Sequence, residues 1–142
     1  MNTNNLFRRR LLRVHGWILT FVALGLAVFT TYSRITGIGP LGFLQQNPLA
    51  WVGLVQAYLL MAIIAVLLIL GSREKNARKW NVLGALAHCP PLIAALSSLD
   101  VFSSMGMLRV VWVPIVFHVV FICLEGIAAV WPRGQNQDSP PA

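Results

Sequence analysis

The chain has 142 residues, 57% of them hydrophobic and 11% charged, with a net charge of +7. With a mean hydropathy of +0.72, nearly all of it is taken up by four long apolar stretches. The remainder is too short for a separate soluble core, which takes several tens of residues. These totals exclude a soluble domain and place the chain in a bilayer.

The apolar stretches run Val14–Ser33, Leu49–Leu70, Trp80–Leu99 and Val110–Trp131. At ~1.5 Å of rise per residue, about 20 residues cover ~30 Å, the thickness of a membrane's hydrocarbon layer. The expected fold is an all-α integral membrane protein, with four transmembrane helices in an up-down bundle. Residues 1–13 then form a basic tail, 14–131 one transmembrane domain and 132–142 a disordered polar tail.

The chain opens with a basic run, Arg8, Arg9, Arg10 and Arg13. Phe7 through Leu12 resembles a twin-arginine export signal, but the apolar stretch behind it exceeds the ~7–15 residues of such signals and no small-x-small cleavage site follows. A retained first span is expected. It carries small residues at Gly16, Thr20, Ala23, Ala27 and Thr30, spaced four, three, four and three apart. That spacing puts them on one face, where a neighbouring helix can approach closely.

The loop Arg34–Pro48 is punctuated by Gly37, Gly39, Pro40 and Gly42, too heavily for a regular helix. It is also apolar, with Ile35, Ile38, Leu41, Phe43 and Leu44, and suits either the membrane interface or a partner chain. The second span holds two polar residues, Gln56 and Tyr58, and Gln56 is expected to need a hydrogen-bond partner inside the protein. A basic turn follows, with Arg73, Lys75, Arg78 and Lys79.

The third span carries His88-Cys89-Pro90-Pro91 near its middle. Two prolines remove two helical donors, and each disfavours helical geometry in the residue before it. A kink or break at Ala87–Pro91 is predicted. Asp100–Leu108 forms a turn around Gly106, and the fourth span contains Pro114, His118, Cys123 and Glu125. Cys89 and Cys123 both lie within spans and carry no information on redox compartment.

Nine basic residues fall on the side of the chain termini and two, Arg34 and Arg109, on the other. By the positive-inside rule both termini face the cytoplasm, in what reads as a bacterial inner membrane, and the basic loops suit anionic lipid headgroups. Nucleic acid is excluded as a partner, because no aromatic platform accompanies the basic residues.

Polar residues inside spans are costly and mark the candidate site. Counted from the presumed span ends, His88 lies at ~12 Å, Glu125 at ~9 Å, Tyr58 at ~18 Å, His118 at ~20 Å and Gln56 at ~21 Å, while His15 falls at the cytoplasmic surface. This count makes His88 and Glu125 partners. His118 and Glu125 share a face of the fourth span, seven residues apart, and Asn81 and His88 share a face of the third. A bis-histidine haem needs two level ligands, and the count leaves His88 and His118 ~7–8 Å apart in height. His118 or His88 alone suits a haem or a chlorin better. No metal-ligand spacing and no catalytic triad or carboxylate pair is present.

In size and four-span layout the chain resembles the DoxX-like group and other small bacterial membrane families, and no motif extends that likeness to a role. The expectation is a non-catalytic accessory or scaffold subunit, contacting lipids, pigments, other integral membrane proteins or further copies of itself. The alternatives are a haem- or chlorin-binding electron-transfer or light-harvesting subunit built on His88 or His118, and an oligomeric solute or proton-coupled transporter using Glu125.

Overall fold

A computed structural model describes residues 3–131, and among them the fold is all-α. The elements are α1 (Thr3–Thr36), a short 3-10 turn (Gly42–Gln45), α2 (Pro48–Gly71), α3 (Ala77–Ser97), α4 (Leu99–Ser104) and α5 (Leu108–Val130). α1, α2, α3 and α5 are long and apolar enough to cross a membrane. Among the described residues the protein is thus an all-α membrane protein with four spanning helices. The expected tail 132–142 lies outside the described residues.

The basic residues at the start are helical, because α1 already begins at Thr3. Of the kink or break expected at Ala87–Pro91, the break is not found: α3 runs without interruption through Pro90 and Pro91. The pyrrolidine ring fixes φ near the helical value, and the two prolines remove the donors to the Leu86 and Ala87 carbonyls. Unwinding would expose further backbone groups to hydrocarbon at several kcal/mol each.

Contacts divide the chain into two units. One is Arg13–Leu70. Here Gly16, Leu19, Ala23, Thr30 and Ser33 are buried along one face of α1, with Thr20 and Ala27 half-buried beside them. The small-residue face read from the spacing is therefore a packing face. At Gly16 α1 meets α2 so closely that a Cβ would stand 2.8 Å from the Ala65 carbonyl oxygen. On α2, Ala65 and Leu68 are completely buried.

At the far end of this unit the loop is tied down. Arg34 Nη1 donates to the Leu44 carbonyl at 3.2 Å, and its guanidinium lies 4.7 Å from the centre of the Trp51 ring. Gly37 (φ +70°) and Gly39 (φ +85°) take left-handed backbone that other residues adopt only under strain. Leu44 is tucked in completely, while Ile35, Ile38, Phe43 and Leu49 stay exposed.

The second unit joins the start of the chain, through Leu12, to everything from Gly71 onward. Its centre is α3 packed along α5, with α4 bridging them outside. The buried residues of α3 are Ala77, Asn81, Gly84 and His88. Their spacing of four, three and four is a heptad seam. α5 answers with Val111, Ile115, Phe121, Glu125, Ala128 and Ala129.

The start of α1 closes this unit. Arg8 Nε donates to the Ala128 carbonyl at 2.6 Å and Arg8 Nη2 to that of Trp131 at 2.5 Å. Arg9 Nε donates to the Ser72 carbonyl at 2.7 Å, and Asn5 Nδ2 reaches that of Lys75 at 3.4 Å. The last carbonyls of a helix have no partner within it and carry the negative end of its dipole, so an arginine fork suits them. The beginning of α1, the α2–α3 turn and the end of α5 therefore lie together at one end.

Candidate functional site

The polar residues of α3 and α5 meet in two layers. In the first, Asn81 Nδ2 donates to Glu125 Oε2 at 2.5 Å, and both side chains are completely buried. In the second, His88 Nδ1 and His118 Nδ1 are 2.7 Å apart. Asn81 and His88 are seven residues apart on α3, as are His118 and Glu125 on α5. Two antiparallel helices repeating every two turns bring both pairs into register, ~10.5 Å apart along the seam.

This regroups the residues. The depth count separated His88 from His118 by several ångströms, yet their ring centres are 5.0 Å apart. The error lay in the span ends. α3 begins three residues before Trp80, and α5 ends one residue before Trp131. Measured from the real ends, the two histidines differ by one residue, ~1.5 Å. Asn81 supplies a hydrogen bond to Glu125.

Gly84 makes room for the first layer. A Cβ there would stand 3.2 Å from Glu125 Cδ and 3.3 Å from Cγ. Asn81 Nδ2 is engaged, but Asn81 Oδ1 is buried without a hydrogen-bond partner among the described residues.

An aromatic wall encloses the second layer. The Phe121 ring stacks on His88 at 5.4 Å between centres and 17° between planes. Phe117 meets His88 edge-on at 5.8 Å and touches Phe121 at 4.8 Å. His88 is 3% exposed, whereas His118 is half-buried. Nδ1 of His118 is taken by His88, and its Nε2 has no protein partner among the described residues.

The remaining candidates lie elsewhere. Gln56 is exposed on α2, correcting the expectation of an interior partner. Nine residues separate it from buried Ala65, two and a half turns, which puts it on the opposite face. Tyr58, two turns from Ala65, shares the packed face and is half-buried. His15 is completely buried rather than at the surface, because α1 begins at Thr3 and His15 is about three turns in.

This geometry limits the chemistry. A metal ion between two imidazole nitrogens needs about 4 Å, at ~2.0–2.1 Å per bond. The facing nitrogens of His88 and His118 are too close, so the pair does not fit a haem held between them. No cluster of three or more His, Cys, Asp or Glu suited to a metal exists among the described residues. Cys89 and Cys123 are free thiols. Gly84, Phe121 and the partnership of Asn81 escape a search for charged and metal-ligating types, although the heptad spacing of Ala77, Asn81, Gly84 and His88 marks the seam. Comparison with known protein families, characterised proteins and solved structures finds no match for the chain.

Proposed function

We propose that this chain is a small non-catalytic subunit of a larger membrane assembly, seated in a bacterial inner membrane with both termini in the cytoplasm. The charge asymmetry supports the orientation, and the meeting of the first and last helix ends agrees with termini on one side. One observation carries the subunit reading. Beyond the end of α1, a loop pinned by Arg34 and the first turn of α2 present large apolar side chains outward, among them Ile38 at 61% and Leu49 at 83% exposure. Apolar residues on an ordered loop near the membrane surface suit contact with another membrane protein better than contact with water.

Asn81 and Glu125 then hold α3 against α5, as interhelical polar pairs do in membranes. Gentle detergent extraction followed by native mass spectrometry tests the reading. A stoichiometric complex well above the 15.7 kDa of one chain is expected, and Ile38→Lys with Leu49→Lys should release the partner while the chain stays folded. A monodisperse single chain, unchanged by those substitutions, would overturn it.

A further inference from the structure

We propose that His88 and His118 form a proton-accepting site inside the membrane, which takes up one proton per chain and passes it from one ring to the other. This goes beyond the subunit role and does not depend on it. At 2.7 Å the facing Nδ1 atoms have room for one hydrogen between them. One ring therefore donates and the other accepts, and the pair cannot hold hydrogens on both facing nitrogens.

The surroundings assign the direction. His118 is half-buried and its Nε2 has no protein partner among the described residues, so this nitrogen is the entry point. For His118 Nε2 to be bare in the neutral ring, His118 Nδ1 must carry the hydrogen and donate to His88 Nδ1. A proton arriving at His118 Nε2 makes that ring an imidazolium. The bridging proton then crosses to His88 Nδ1, leaving His118 neutral with its hydrogen on Nε2. His88 now carries both ring hydrogens and the positive charge. No other bond changes, and the pair has gained one proton.

The Phe121 face stacked on His88 stabilises a cation there, an attraction that strengthens away from water. Within this unit, Arg78 and Lys79 lie in the first turn of α3, nine or more residues from His88, and Arg9 and Arg10 lie at the start of α1. Glu125 lies two turns along α5, Cys89 adjoins His88 with its Sγ toward the Ala85 carbonyl, and Cys123 is exposed on α5. Asp100 on α4 and Arg109 at the start of α5 are exposed. Arg8 is bound at the far end of α5. Glu125 is thus the one carboxyl group on the seam.

The test is a nitrogen NMR titration of histidine-labelled full-length chain in lipid nanodiscs, across about pH 4–9. Signals are assigned with His15→Gln, His88→Gln and His118→Gln variants. The expected result is one joint step in which the His88 and His118 signals move together, with one proton taken up for the two rings. In His118→Gln the joint step should be lost, leaving His88 to titrate alone or not at all. Two independent steps totalling two protons, or no titration of either ring in the intact protein, would overturn the proposal. The intact protein alone decides between these, so a variant that fails to fold does not protect the idea.

Discussion

Asn81 reaches across from α3 to hold the buried Glu125 carboxyl of α5, at 2.5 Å, in a space that Gly84 keeps open. Polar pairs between membrane helices typically contribute about 0.6 kcal/mol and at most ~1.7 kcal/mol. Asn81→Leu should therefore lower stability by about 0.6–1.7 kcal/mol. Glu125→Leu should cost a similar amount, because it leaves the Asn81 donors buried without an acceptor. Reversible unfolding in mixed micelles reads both values, and the double variant should cost less than the two single changes added together.

Gly16 is a packing residue by the same physical logic, in the other unit. A Cβ there meets the Ala65 backbone oxygen, which has little freedom to move. Gly16→Ala should destabilise by about 1–3 kcal/mol, the usual cost of overpacking. Gly25, where a Cβ would meet nothing within 4 Å, is the control. Gly25→Ala should leave thermal stability in detergent unchanged or slightly raised, because alanine is the better helix former.

Removing Arg8 leaves the Ala128 and Trp131 carbonyls without the guanidinium that now serves both. Arg8→Ala should cost about 1–3 kcal/mol for those lost acceptor contacts. Arg8→Lys should recover part of this, since a point charge cannot reproduce a two-pronged fork. Limited proteolysis near Trp131 provides the readout, with faster cleavage in Arg8→Ala than in Arg8→Lys.

The loop between α1 and α2 depends on glycine backbone. At Gly39, with φ +85°, a side chain has space but not conformation, since the nearest atoms are 3.9 Å from a built Cβ. Gly39→Ala should cost about 1–2 kcal/mol, the price of left-handed backbone for an L-residue. The effect should be confined to the loop, raising hydrogen exchange at residues 37–47 and leaving α2 protected.

The four spans were legible because a run of ~20 apolar residues has few other uses. The seam was partly legible. Its residues share heptad faces that can be read from spacing, but which layer of α3 meets which layer of α5 depends on where each helix begins and ends. Hydropathy places those ends only to within a turn, and three extra residues at Ala77 with one fewer at Trp131 were enough to bring His88 within one residue of the level of His118. Arg8 shows the complementary failure. Arginine beside a span reads as a headgroup ligand, and only three-dimensional proximity reveals that two helix-end carbonyls compete for it. At Pro90 and Pro91 local preference pointed to a kink or break, and against the break the cost of bare backbone in lipid prevailed.

The joint at Arg8 also imposes an order on how the chain is made. Arg8 leaves the ribosome more than a hundred residues before Ala128 and Trp131 do. Its guanidinium must stay with water or lipid phosphate while α2, α3 and α5 insert in turn. The bond closes only once α5 has arrived with its end on the side where α1 began. A chain with one helix inserted the wrong way round presents no acceptor there, and Arg8 remains as a mark of incomplete insertion.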